Sequence, residues 1–284
     1  MRSFGERLGA TFSRYGQLCV GIDPHPYLLA EWGLTDSAVG LREFGMRVVD
    51  AAAGQAGIVK PQVAFFERHG SAGYLALEQV IAAARLAGLL VIADAKRGDL
   101  GTSVEAYAQA WLRPGSPLEA DAMTMVAYQG TGSIAAPLAI AEEHGKGLFV
   151  LAATSNPEGA ELQSARRADG RTVAASIVED VVGWNESHAG EPSDSGSLGS
   201  IGVVLGATVD FTHFEIELGS LTGTPILAPG FGHQGAEYSR LSELYGSAAA
   251  SAVVSSSRSI LSAGPEGIAA AIEAQAREVL ACRG

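Results

Sequence analysis

Short apolar runs recur along the chain, with helix-period segments between them. The runs at 18–22, 57–59, 89–93, 122–126, 148–152, 201–205, 225–228 and 252–255 are almost wholly apolar and do not alternate with polar residues. Such runs read as strands covered on both faces, as in a parallel sheet. Between them, apolar residues repeat at helical spacing. Leu41, Phe44 and Val48 share one face, as do Tyr74, Leu77, Ile81 and Ala84. Val104, Tyr107, Ala108 and Trp111 form another stripe, with Ser103 placed as its N-cap. Val173, Ile177, Val181 and Trp184 repeat the pattern, and Ile268, Ile272, Ala276 and Val279 close the chain.

Eight strands alternating with helices predict an α/β fold, a (β/α)8 TIM barrel, over an open doubly wound sheet. The alternation is unbroken, and polar residues follow strand after strand. Asp23 follows the first, Lys60 the second, Asp94 and Lys96 the third, Ser155 the fifth, Gly230 to Gly235 the seventh and Arg258 the eighth. In a barrel these strand ends share one rim. A length of 284 residues suits a single barrel domain over 1–284. Residues 188–200 (HAGEPSDSGSLGS) have little to bury and read as a flexible insertion, a passive loop rather than a lid.

Composition narrows the function classes. Hydrophobic residues make up 47% of the chain, enough for a sizeable core, yet no run approaches the roughly 18 apolar residues of a membrane span. The start, MRSFGER, lacks the apolar core of a secretory signal, and Cys19 and Cys282 form no disulfide framework. Both features fit the cytoplasm. A net charge of −12 argues against a nucleic-acid partner. No metal-binding motif occurs, so neither a metal nor a membrane partner is expected.

The stretch Asp94-Ala95-Lys96-Arg97-Gly98-Asp99 leaves the third strand with two carboxylates around an ammonium group. By itself D-x-K-x-x-D also describes a solvated turn. At a barrel rim it describes a charged array: an ammonium between carboxylates is kept cationic, suited to stabilising and protonating a carbanion. At the other end of the chain, Gly230-Phe231-Gly232-His233-Gln234-Gly235 matches G-x-G-x-x-G. A dinucleotide fingerprint would need an acidic residue about 20 positions on, and Ala250-Ser251-Ala252 stands there. A grip on a single phosphate fits better. Glycines let backbone N–H groups approach, Gln234 adds donors, and Ser257 and Arg258 follow from the eighth strand.

With these elements assembled, the chain resembles the orotidine 5′-phosphate decarboxylase family, in its longer bacterial branch, mycobacterial-type enzymes included. The resemblance runs from Gly21-Ile22-Asp23-Pro24 to Arg258-Ser259-Ile260, through D-x-K-x-x-D, A-P-G-F-G-x-Q-G at 228–235 and S-S-R-S-I at 256–260. It implies roles position by position. Asp23 binds ribose hydroxyls. Lys60, in Val59-Lys60-Pro61-Gln62, bonds the ribose and the charged array. Asp94 and Lys96 serve their own subunit, whereas Asp99 reaches into a partner's site, so the active unit is a homodimer. Ser103 stands where the family has a partner-supplied Thr. Ser155 reads the pyrimidine amide edge, and Gln234, Ser257 and Arg258 hold the phosphate.

The implied reaction is cofactor-free decarboxylation of orotidine 5′-monophosphate through a C6 carbanion that Lys96 protonates. Three other readings compete. A sister Mg²⁺-dependent keto-sugar-phosphate decarboxylase shares D-x-K-x-x-D but needs an acidic ligand where Lys60 stands. A Schiff-base aldolase needs a neutral Lys96, which Asp94 and Asp99 oppose. A non-catalytic nucleotide-phosphate-binding barrel would leave the array without purpose.

Overall fold

The computed structural model describes residues 2–188, 198–232 and 235–282. Strands β1 (Leu18–Ile22), β2 (Ile58–Pro61), β3 (Leu90–Arg97), β4 (Ala122–Met125), β5 (Gly147–Ala153), β6 (Ile201–Leu205), β7 (Ile226–Pro229) and β8 (Ala252–Ser256) pair in parallel in sequence order. The ring closes between β8 and β1, with Leu18 opposite Val254 and Val20 opposite Ser256. This is the (β/α)8 barrel that the alternation predicts. The largest boundary change is in β3, which continues past its apolar run through Asp94 and Lys96 to Arg97. Lys60, Asp94 and Lys96 therefore lie within strands, not after them. Their side chains find partners inside the barrel mouth, so the backbone ladder need not end where the charge begins.

Successive side chains of a strand face opposite sides. One set, including Val20, Val59, Val91, Met123 and Val150, packs outward against the helices. The other set, including Cys19, Ile58, Ile92, Ala122, Phe149 and Val253, fills the lower barrel. The Phe4–Tyr15 helix, which the sequence pattern does not announce, plugs that end with Phe4, Leu8 and Phe12. Its first turn is closed by a capping box: Glu6 N–H donates to the Ser3 hydroxyl, and Ser3 N–H donates to the Glu6 carboxylate. Phe4 meets Phe149 edge-on, with centroids 6.0 Å apart, where Gly147 leaves room for the ring. Arg7 fastens the helix by pairing with Asp121 and donating to the Gly145 carbonyl.

The predicted helical stripes are buried at Leu41, Phe44 and Val48, at Leu77, Ile81 and Ala84, and at Ile268, Ile272 and Val279. Two details differ. Ser103 is not an N-cap; it lies inside the Gly101–Leu112 helix, whose cap position is Leu100. The Asp99 carboxylate accepts the Leu100 N–H and so starts the turn earlier. In the Val173–Ser187 helix the buried side runs through Val178 and Val181, while Val173 and Ile177 face a cavity at the barrel mouth. Within the predicted insertion, 189–197 lie outside the described residues. Residues 198–200 sit at the plugged end, where Gly199 N–H donates to the Gly223 carbonyl and Gly5 N–H to the Ser200 hydroxyl. No helix among the described residues is long and apolar enough to cross a membrane.

The plug generates a stability prediction. Phe4→Ala should cost about 3–5 kcal/mol, the usual loss for a fully buried Phe, read from urea unfolding. A loss below about 1 kcal/mol would show that the barrel end closes without it.

Candidate active site

The two-residue period that fills the lower barrel also builds the site above it. Two steps up from Cys19 come Gly21 and then Asp23; from Ile58 come Lys60 and Gln62; from Ile92, Asp94 and Lys96. Ala122 is followed by Thr124, Phe149 by Leu151, and Val253 by Ser255 and Ser257. Gly21 apart, all of these upper positions line one cavity of about 920 Å³ at the C-terminal ends of the strands.

Asp94 is the hub. Its Oδ2 accepts from Lys60 Nζ at 2.8 Å and Gln62 Nε2 at 3.1 Å; its Oδ1 accepts from Lys96 Nζ at 2.5 Å and Thr124 Oγ1 at 3.0 Å. Burial alone would push this carboxyl up. The Lys60 and Lys96 ammonium groups outweigh burial and hold it far below its ordinary 3.8. Burial likewise opposes the charge on Lys60, but Asp94 and Asp23 prevail and raise it above its ordinary 10.5. Cys19, beneath them, has its thiol pushed up to about 12 by burial and is a packing group rather than a nucleophile.

Lys96 occupies an unusual backbone conformation. Its φ of +46° lies in the left-handed region, which costs a non-glycine residue on the order of 1–3 kcal/mol. The β3–β4 register explains it: Ala93 lies opposite Met123 and Arg97 opposite Met125, so Asp94, Ala95 and Lys96 bulge across from Thr124 alone. The Lys96 N–H donates to Thr124 Oγ1 at 2.9 Å. Arg97 turns aside to pair with Glu67 at 2.8 Å, its guanidinium 5.8 Å from the Tyr107 ring centroid, and so supports the rim without entering the cavity.

Ser257, Arg258, Gly230 and Phe231 form another part of the wall. Gly21 is needed here, because a Cβ would stand 1.9 Å from Ser257 Oγ. Asp23 Oδ1 is buried with no hydrogen-bond partner among the described residues, a free acceptor beside this wall. After β7, Gly230, Gly232 and Gly235 all have positive φ, and the turn is cross-linked by Ala236 N–H to the Gly230 carbonyl and Gly232 N–H to the Ala236 carbonyl. Gln234 lies outside the described residues. Ser155 lines the cavity, and Leu151, Leu162, Val173, Ile177 and Val204 give it an apolar side.

Not every expected residue comes to this cavity. The exposed Ser103 and the half-buried Asp99 are absent from its lining. Conversely, His25, Gln62 and Thr124 line it, although no motif in the sequence marks them as site residues. His25 and Gln62 stand two positions beyond Asp23 and Lys60, just past the ends of β1 and β2. Thr124 interrupts an otherwise apolar strand. Both signals are legible once the barrel's inner face is known. Among the described residues, no group of three or more His, Cys, Asp or Glu could hold a metal ion.

A closed parallel barrel with a Lys–Asp–Lys array inside its C-terminal mouth has the form of a (β/α)8 enzyme. Comparison with known proteins narrows this class: the chain belongs to the orotidine 5′-phosphate decarboxylase / HUMPS family, whose model matches residues 16–273. An orotidine 5′-phosphate decarboxylase of Salinispora arenicola is 48% identical over 284 residues, covering 100% of this chain and 98% of the relative. One from Streptomyces coelicolor is 46% identical, covering 94% and 92%. A Streptomyces avermitilis crystal structure, described as a candidate enzyme of the same name, matches with a TM-score of 0.92 and 44% identity, covering 100% of this chain and 96% of that one. Leishmania donovani OMP decarboxylase matches with a TM-score of 0.75 and 28% identity, covering 99% and 98%.

The buried pair sets a pH-dependent stability. The Asp94 contribution is complete above the ordinary carboxyl value of 3.8 and is lost only as pH falls through the depressed folded value. The Lys60 contribution is complete below 10.5 and is lost only as pH rises through the raised folded value. At pH 7 both persist. Asp94→Leu or Lys60→Met alone should therefore destabilise by about 3–5 kcal/mol at pH 7. The double variant should be closer to wild type in a urea double-mutant cycle. Strict additivity would show that the two charges are not coupled.

Proposed function

We propose that this protein decarboxylates orotidine 5′-monophosphate to UMP and CO2 in de novo pyrimidine biosynthesis, with no metal or organic cofactor. It works as a cytoplasmic homodimer of single-domain barrels. The observation that carries the reading is the Lys96 ammonium, 2.5 Å from Asp94 in a cavity also lined by Arg258 and Gly230, in a chain 48% identical to a relative of that name.

The phosphate is held by Arg258, Ser257, Gln234 and the backbone of the turn, and the ribose hydroxyls by Asp23 and Lys60. Asp23 Oδ1 has the free lone pairs such hydroxyls need. Ser155 reads the pyrimidine amide edge. Bound this way, the base sets its C6 carboxylate beside Lys96. The C6–carboxylate bond breaks, CO2 leaves and the electron pair stays on C6. Lys96 gives a proton to C6, forming the C–H bond of UMP, and is reprotonated from solvent. An ammonium about 4 Å from the developing anion contributes about 4 kcal/mol at an effective dielectric near 20. That is less than enzymes commonly supply. The remainder comes from the preorganised array, the apolar side of the cavity, and phosphate binding energy used to fix the base.

Asp99 and Ser103 act in the partner subunit's site, with Asp99 facing the substrate carboxylate. Their absence from their own chain's cavity supports this assignment. The metal-dependent alternative is not favoured, because Lys60 occupies the place of its acidic ligand and pairs with Asp94.

Added orotidine 5′-monophosphate should be converted to UMP with EDTA present, followed by ultraviolet absorbance. A requirement for divalent metal, or no turnover, would overturn the reading. Lys96→Ala should remain folded and retain less than about 1% of turnover, since counter-charge and proton donor are lost together. Retention of a tenth of wild-type turnover would remove Lys96 from the mechanism. The shared site has its own test. Lys96→Ala and Asp99→Ala homodimers should each be nearly inactive. Their mixed dimers hold one site with both defects and one with neither, so random reassortment should restore about a quarter of all sites. No recovery despite demonstrated subunit exchange would place Asp99 in its own chain's chemistry.

A further inference from the structure

The left-handed conformation of Lys96 needs a restraint, because an unheld lysine at that position would relax and take its ammonium group with it. The restraint is visible on β4. Thr124 is 1% exposed and sits alone across from the Asp94–Lys96 bulge. Its hydroxyl has one proton to give. That proton goes to Asp94 Oδ1 at 3.0 Å, the same oxygen that accepts Lys96 Nζ. The hydroxyl lone pairs are thereby left to accept the Lys96 N–H at 2.9 Å. One side chain thus holds both the backbone of the lysine and the carboxylate that its ammonium group faces.

We propose that Thr124 is a positioning residue for the reaction: it locks the bulged Lys96 so that Nζ stays on the Asp94 side of the cavity, aimed at the reacting carbon. The identity of that carbon rests on the decarboxylase reading above; the restraint on Lys96 does not. Thr124 touches no reacting atom and acts through Lys96. The apolar isostere Val would fill the same space while leaving the Lys96 N–H without its acceptor and Asp94 Oδ1 with one donor fewer. Ser keeps the hydroxyl and loses only a methyl group.

The test compares wild type, Thr124→Val and Thr124→Ser by two independent readouts. In the first, kcat for orotidine 5′-monophosphate should fall about 100-fold in Thr124→Val, as a displaced catalytic group implies. Affinity for UMP, which has no carboxylate at C6, should change by less than about threefold. Thr124→Ser should return kcat to within about threefold of wild type. In the second, the protein is labelled with nitrogen-15 lysine. Lys60, Lys96 and Lys146 are its lysines, so the spectrum is simple to assign. Thr124→Val should shift the Lys96 amide and speed its hydrogen exchange, leaving Lys146 unmoved, and Thr124→Ser should restore both.

An unchanged kcat in Thr124→Val overturns the proposal. So does a Ser variant no better than Val, a UMP affinity that falls in step with kcat, or an unaltered Lys96 amide. If Thr124→Val does not fold, Thr124→Ala replaces it in the same comparison. If wild-type protein shows no turnover, the decarboxylase reading fails, and the Lys96 amide still decides whether Thr124 holds the lysine.

Discussion

The Asp94 carboxylate is the group on which the upper barrel depends. A buried anion is tolerated only when its lone pairs are occupied and its charge is met, and here both oxygens are engaged by groups from β2, from Gln62 just beyond it, and from β3 and β4. The consequences reach outward. Lys60 is kept cationic in a place where burial would otherwise strip its proton. The β3 backbone bulges to bring Lys96 to the same carboxylate. Replacing Asp94 would leave the Lys60 and Lys96 ammonium groups facing one another without their shared counter-charge, so the array stands or falls as a unit.

The rest of the barrel serves this unit by layering. Below it, a dry plug of aliphatic and aromatic side chains, sealed by the Phe4–Tyr15 helix, gives the charged layer a rigid floor. Above it, the mouth widens into a cavity with chemically distinct walls: the charged array, Gly230 and Phe231 with Arg258, and an apolar side from β5, β6 and the Val173–Ser187 helix. The layers differ only in which residue types occupy successive inward positions on the same strands. Because neighbouring strands lock each other's register, the distances within the charged layer are fixed by the backbone ladder rather than by loops.

Much of this was legible in the sequence because parallel strands covered on both faces leave continuous apolar runs. The strands and the barrel class follow from those runs. The exact inner face does not, because runs without alternation conceal which residues point inward. That is why the sequence marks Asp94 and Lys96 as site residues and gives no such sign for Thr124 or Gln62. The amphipathic plug helix begins almost at the chain's start and matches none of the strand-linked repeats, so its role becomes visible only from what it covers. Local residue preference points to Ser103 as a cap, but Asp99, whose carboxylate accepts the Leu100 N–H, starts the turn earlier and leaves Ser103 inside the helix. The assignment of Asp99 and Ser103 to a neighbouring subunit rests on resemblance, and neither residue lines the cavity of its own chain.

The pairing of lysines in this protein has a consequence for handling it. Lys60 and Lys146 are locked in interior ion pairs, with side chains 7% and 6% exposed, whereas the Lys96 side chain is 45% exposed. The basic residues elsewhere on the chain are arginines. Reagents that acylate lysine amines, in dye labelling, surface coupling or cross-linking, thus find their accessible lysine inside the cavity rather than on the outer surface. Conjugation through lysine amines would place the adduct beside Asp94 in that cavity, and attachment through an introduced surface thiol would keep it outside.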